Sequence, residues 1–241
     1  MDRDPVTDAR SLVEELFPHA VWAVVTGSVV TAHRTPGSDL DIVVVLPDGD
    51  PDAPHRRSRH FRSWPVELFV HDVESLSMFL GKELAGRKPH LHRMVADGIA
   101  IVGDPSAQQT HCARVLAAGP APLSPDEQAA ARYSLTDLLD DLASATDPAE
   151  KTVIAALTWT RAADNLLAVA GRWPGAGKWQ LREMRALEGD MAARWLAARD
   201  DTDRIEAFAR EVLDRMGGPL FDGYYIPAPR SRDAATRGEE R

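Results

Sequence analysis

Three acidic side chains and one glycine–serine step carry the chemistry that this chain offers. In "TGSVVTAHRTPGSDLDIVVVL", residues 26–46, an apolar run ends in Gly27-Ser28, a polar turn of ten residues follows, and Asp39 and Asp41 stand just ahead of Ile-Val-Val-Val. In an extended chain residues i and i+2 project to the same side, so the two carboxylates lie together at the mouth of a strand. Like charges that close repel, and a divalent cation between them removes the repulsion. An ordinary reading competes: both aspartates project from a solvated strand edge, with Ser38 and Asp39 as turn residues. Glu67 shifts the balance. It interrupts "PVELFV", where Val66, Leu68 and Val70 face one way and Glu67 with Phe69 the other. A carboxylate within an apolar strand is costly unless it is paired or metal-bound. With the strands of 41–46 and 66–70 as neighbours, Asp39, Asp41 and Glu67 form an all-oxygen ligand set suited to Mg²⁺, which keeps waters and takes up substrate phosphates.

The elements that must position these groups alternate over the first hundred residues. "SLVEELF" (11–17) has helical spacing and stops at Pro18; "VWAVVT" (21–26), "DIVVVL" (41–46) and "WPVELFVHD" (64–72) are β-branched runs bounded by Gly, Pro and Asp. Two short helices over 74–97 and a strand in "GIAIVGD" complete a mixed half. Between about 103 and 124 the composition turns to Pro, Gly and Ala. "SPDE" then offers Ser124 as N-cap, Pro125 at the first helical position and Glu127 for a capping box. Tyr133, Leu135, Leu138, Leu139 and Leu142 follow as an apolar stripe. "DPAE" (147–150) starts a second long helix through Ala170, closed by Gly171, and helical patterns run through 178–188, 190–199 and 203–216. The expected class is α+β: residues 1–105 as a small mixed sheet flanked by helices, 120–220 as an all-α bundle, and 228–241 as a disordered polar tail.

The chain has 241 residues and a net charge of −9, which argues against extended contact with a nucleic-acid backbone. No apolar run approaches the roughly 18 residues of a membrane span, and the acidic start "MDRDPVTDAR" is unlike a secretory signal, so no membrane partner and a cytoplasmic location are expected. The lone Cys112 permits no internal disulfide and no cysteine metal cluster, and suits a small buried hydrophobe.

Gly27-Ser28, ten residues, Asp39-Leu40-Asp41 and then Glu67 together resemble the signature of the DNA polymerase β-type nucleotidyltransferase superfamily, over roughly residues 20–102. With a helical bundle behind them, "GSDLD" and "VELFV" are similar to the motifs of antibiotic nucleotidyltransferases acting on aminoglycosides and lincosamides. Small members often carry Arg-Gly shortly after Gly-Ser; here Thr31 and Ala32 hold those places, and Arg34 is the cation left to take that part. The resemblance implies Mg²⁺-dependent transfer of NMP, with ATP the favoured donor, from an NTP to a hydroxyl of a small molecule such as an aminoglycoside-like antibiotic, by in-line attack with pyrophosphate leaving. Asp39 and Asp41 would hold two Mg²⁺ ions, and Glu67 would bind the second ion or take the hydroxyl proton. Gly27, Ser28, Ser38 and Arg34 are the candidate nucleotide-binding residues. Gly27 allows close backbone approach, Ser28 opens a following helix, and the ten-residue connection spans the distance from phosphate cradle to metal site. The bundle would wall the acceptor cleft, and a homodimer fits the resemblance.

Other groups are weaker candidates. "HRRSRHFR" (55–62) is a solvated loop and strand face or a triphosphate or acceptor clamp; the seven acids of 126–150 are a wet helix face or an attraction for a cationic acceptor. "GRWPGAGKWQLRE" (171–183) lacks the Ser or Thr and the preceding strand of a phosphate loop, which favours a structural connection with packed tryptophans. His71 and Asp72 suit a cap or turn, and His90 and His92 are two apart on a helix, a poor metal pair. The main rival activity is that of an antitoxin-like protein adenylyltransferase. A ribonuclease toxin of the Arg–His type fused as residues 124–216 is set aside, because the last histidine of the chain is His111. A catalytically dead nucleotide-binding module conflicts with retention of all three carboxylates.

Overall fold

The structure, a computed structural model, describes residues 4–187 and 189–227; the expected disordered tail, 228–241, lies outside the described residues. The chain forms two compact units that divide between Pro120 and Ala121, and the class is α+β.

In the first unit the helix α1 (Pro5–Leu16) is followed by β1 (Trp22–Thr26), a single 3₁₀ turn (Ser28–Val30), β2 (Leu40–Val45), β3 (His55–Phe61), β4 (Trp64–His71), α2 (Val73–Ala85), α3 (His90–Ala96), β5 (Ile99–Gly103) and α4 (Ser106–Ala118). Asp4 caps α1 by accepting from the amides of Val6 and Thr7, with Pro5 at the first helical position, where its missing N–H is no loss. The five strands form one mixed sheet in the order β3-β4-β2-β1-β5. β2 and β4 run parallel, and the other neighbours pair antiparallel.

Strand alternation sorts two cores. Ala23, Val25, Leu40, Ile42, Val44, Val66 and Leu68 pack against Ala9, Leu12 and Val13 of α1. Trp22, Val24, Val43 and Val45 pack on the other face against Leu76 and Leu80 of α2, Leu91 and Val95 of α3, and Cys112 of α4. Cys112 is fully buried, the small hydrophobe that its isolation suggests. The central strand β2 is covered on both faces, so "LDIVVV" is apolar throughout except at Asp41.

Two elements differ from expectation. The stretch 55–61, expected as a solvated loop and strand face, is strand throughout, the edge strand β3, joined to β4 by a two-residue turn in which Arg62 and Ser63 both have positive φ. The Pro/Gly/Ala-rich stretch after 103 contains α4, which docks through Cys112 and through Gln109, whose side-chain amide donates to the carbonyls of Val95 and Gly98. With Cys112 its one buried residue, this helix has no apolar stripe to read.

The second unit comprises α5 (Pro125–Ser144), α6 (Pro148–Val169), α7 (Lys178–Arg185), α8 (Met191–Ala198) and α9 (Thr202–Arg215). The Ser124–Glu127 capping box is formed on α5, and Asp147 caps α6. Leu135, Leu139, Ala163, Leu167, Met184, Phe208 and Val212 share the core. Trp159 of α6 and Trp195 of α8 stack 4.0 Å apart and exchange indole-to-carbonyl hydrogen bonds of 2.7 and 3.0 Å. In the 171–177 connection Trp173 is buried, and a Cβ at Gly175 would strike the backbone of Trp179 and Gln180; this is a packed connection. The seven acids of 126–150 are all exposed, a wet face on which Glu127 and Asp147 also serve as caps. Among the described residues, no helix is long and apolar enough to cross a membrane.

Candidate active site

The sheet register brings the acidic residues together. β1 pairs Thr26 with Asp41, and β2 pairs Asp41 with Glu67, so the two carboxylates sit side by side on adjacent strands. Their face is the one that carries Val43 and Phe69, by alternation from Asp41 and Glu67. Asp39 lies one residue before β2, held there by the fully buried Leu40. One carboxylate oxygen from each of Asp39, Asp41 and Glu67 lies within 4.8 Å of the others, and all three side chains are half-buried. This donor set is all oxygen and formally −3, which matches a hard divalent cation.

Gly27 is built into that geometry. It adopts φ +89° and ψ −167°, and a Cβ placed on it would collide with the Oδ2 of Asp41. The glycine is therefore required by the neighbouring aspartate as well as by its own backbone, a coupling invisible in sequence order.

The connection from Ser28 to Asp39 does not span a distance, as expected, but closes a loop. The hydroxyls of Ser28 and Ser38 are 2.8 Å apart, and Ser38 Oγ also accepts from the amide of Thr35 at 3.0 Å. The cause is the antiparallel pairing of β1 with β2, which brings the two ends of the loop back beside each other. The helix expected after Ser28 is only the 3₁₀ turn Ser28–Val30, anchored by buried Val29. Arg34 lies with its guanidinium 5.3 Å from the ring centre of Trp64. Trp64 belongs to the α1 face of the sheet with Val66 and Leu68, the face opposite Glu67.

Arg56 is the residue that inspection of the sequence did not single out. From β3 it donates a 2.5 Å hydrogen bond to Glu67 Oε2, and its guanidinium stands 4.7 Å above the Phe69 ring. It offsets part of the carboxylate charge and orients Glu67. The signal was available: with the β3–β4 turn at Arg62-Ser63, counting back along both strands sets Ser58 opposite Glu67 and Arg56 opposite Phe69.

Farther along the same face, His71 is buried against Phe79, and burial holds its pKa below the ordinary 6.5 despite the opposing pull of Asp72 and Glu83. Asp72 caps α2 in a reciprocal box with Ser75, the capping role expected of it. Hydrogen bonds from Ser75 and then from the Gly49 amide lower its pKa. His92 is fully buried with its Nδ1 3.1 Å from Glu83, whose carboxylate also receives the amides of Leu91 and His92. That pairing is a cap on α3 and leaves no His90–His92 metal pair.

Residues 7–91 match the nucleotidyltransferase domain family. Among solved structures, a nucleotidyltransferase-like protein from Exiguobacterium sibiricum 255-15 aligns with a TM-score of 0.43 and 13% identity, over 89% of this chain and 77% of that one. No curated protein matches the chain.

Proposed function

The N-terminal unit is a nucleotidyltransferase domain of the DNA polymerase β-type superfamily, and from that premise we propose that the protein moves a nucleoside monophosphate, with ATP as donor, onto a hydroxyl of a small molecule in the cytoplasm. The observation that carries this reading is the approach of Asp39, Asp41 and Glu67 oxygens to within 4.8 Å of one another, with Gly27 fitted against Asp41. Asp39, Asp41 and Glu67 would hold two Mg²⁺ ions. When bound, such ions neutralise charge on the transferring phosphoryl group and ease deprotonation of the attacking hydroxyl.

The residues of the chain supply alignment and a proton acceptor. Gly27 and Ser28, at the end of β1, face the triphosphate, and the Ser28–Ser38 clasp keeps that turn against the mouth of β2. Glu67, turned by Arg56, would bind the second ion or take the proton from the acceptor hydroxyl. The acceptor oxygen forms a bond to the α-phosphorus, the bond from that phosphorus to the β-phosphate bridging oxygen breaks, and pyrophosphate leaves. A homodimer is the expected assembly on the resemblance alone.

The test is incubation of the full chain with α-labelled NTPs, Mg²⁺ and pooled hydroxylated small molecules, followed by chromatography and a protein gel. A labelled small molecule formed by the wild type and lost in Asp41→Asn, with the circular dichroism spectrum unchanged, is the expected result. Label on a protein instead would assign the chain to protein adenylylation, and equal activity in Asp41→Asn would remove Asp41 from the mechanism.

A further inference from the structure

Beyond Glu67, β4 carries Phe69 and His71 on the same face, about 7 and 13 Å farther along the strand. They join Arg56 of β3, Phe79 of α2, and Leu91 and Met94 of α3 around a cavity of about 320 Å³, within the range of small-molecule sites. Two aromatic rings, an aliphatic side chain and a thioether give it apolar walls that pack well against the faces and edges of a flat ring, while Pro54, His55, His90 and Glu83 complete the lining, with Glu83 already engaged by His92 and the amides of Leu91 and His92. His71 is only 6% exposed and its Nδ1 has no hydrogen-bond partner. With its pKa lowered by burial it is a neutral imidazole at pH 7. Arg56 connects the cavity to the acidic cluster, since its guanidinium both covers Phe69 and binds Glu67.

Sheet order says which reactant belongs here. In-line transfer puts the leaving pyrophosphate and the attacking hydroxyl on opposite sides of the α-phosphorus. The Gly27-Ser28 turn follows β1, on one side of β2, while the cavity lies over β3 and β4, on the other side. With the phosphates at Gly27-Ser28, the hydroxyl arrives from the Glu67 side. We propose that this cavity is the acceptor subsite and that the acceptor is an uncharged molecule whose reactive hydroxyl is attached to a flat aromatic ring; the proposal rests on the nucleotidyl-transfer reading. A ring seated against Phe69 keeps its hydroxyl within reach of Glu67. A polycationic aminoglycoside does not suit the cavity, because it has no apolar face for Phe69, Phe79 and Met94, and the carboxylate of the lining, Glu83, is already engaged by His92 and two amides.

The probe is 2-naphthol, titrated into the full chain without nucleotide or metal and followed by saturation-transfer NMR. Saturable binding is expected, weakened at least about tenfold by Met94→Trp, which fills the cavity, and several-fold by Phe79→Ala, which removes a wall. Phe79 is partly exposed, so the second variant keeps the test sound should the first fail to fold. Asp41→Asn leaves naphthol binding unchanged, and kanamycin does not displace it. No saturable binding, equal binding by both folded cavity variants, or displacement by kanamycin overturns the subsite. Because neither nucleotide nor metal takes part, that failure leaves the enzyme reading standing, whereas a wild type that transfers no NMP to any acceptor overturns the reading beneath it.

Discussion

Gly27→Ala isolates the coupling between the turn after β1 and the acidic cluster. Two penalties combine. At φ +89° and ψ −167° the backbone is in a region essentially reserved for glycine, and holding alanine there costs about 1–3 kcal/mol. The new Cβ also occupies the position of Asp41 Oδ2, so the carboxylate must turn away or the end of β1 must shift. Against a stability of about 5–15 kcal/mol for an ordinary domain, the backbone penalty leaves the protein folded. A displacement near 1 Å of a positioning group lowers a rate by about 10²-fold. The expected phenotype is therefore a modest loss in urea stability together with a fall in transfer of about 10²-fold and weaker Mn²⁺ binding by electron paramagnetic resonance. Gly37→Ala is the control, because a Cβ there meets nothing within 4 Å and the residue has no positive φ. If Gly27→Ala loses stability yet keeps Mn²⁺ affinity and transfer within about twofold of the control, Asp41 does not work from the position described.

Three further outcomes follow from individual contacts. Arg56→Ala frees Glu67 from its guanidinium; the pair is partly exposed, so stability changes little, and Mn²⁺ affinity rises about two- to fivefold because the cation no longer competes with an ion pair worth under about 1 kcal/mol. A fall in affinity would show that Arg56 holds Glu67 ready for the metal. The Asp72 carboxylate, hydrogen-bonded by Ser75 and by the Gly49 amide at 3.2 Å, has a folded pKa below its ordinary 3.8. Its contribution is therefore full above that value and is lost as pH falls through the lower folded one. Asp72→Asn should lower the urea midpoint near neutral pH, with the difference from wild type closing in acid; a difference that widens in acid would reverse the sign. Trp195→Phe removes the indole donor that lies 3.0 Å from the Trp159 carbonyl, a carbonyl that keeps its place in the α6 ladder, and should destabilise the helical unit by about 0.5–1.5 kcal/mol in chemical unfolding, an effect that an unchanged midpoint would deny.

The acidic cluster was legible because each member broke a local rule: Asp39 and Asp41 repeat at the strand period, and Glu67 interrupts an apolar strand that buries Val66, Leu68 and Val70. Ser124, Asp147 and Gly171 mark helix ends through cap chemistry that acts over a few residues, and such signals survive in linear order. What stayed hidden depends on pairing across the chain. β3 is an exposed edge strand of charged side chains with no apolar alternation, recognisable only by its partner β4. Its turn uses Arg62 and Ser63 at positive φ where glycine or asparagine is the usual signal. α4 buries Cys112 alone, too little for a periodic stripe.

The same distinction explains why the residues around the carboxylates were harder to assign than the carboxylates themselves. Gly27 was read for its own backbone freedom, but its lack of a side chain is demanded by Asp41, fourteen positions on and adjacent only because Thr26 pairs with Asp41. Arg34 stands close in sequence to the missing Arg-Gly step; in space its guanidinium lies over Trp64, on the α1 side of the sheet. Arg56 reaches the cluster at Glu67, and its route runs through a hairpin register. Acidic ligands announce themselves because an unpaired charge in an apolar strand is costly wherever the chain goes. Their counterions and packing partners can be supplied from any neighbouring strand, so strand register, rather than residue type, decides which basic residue meets Glu67.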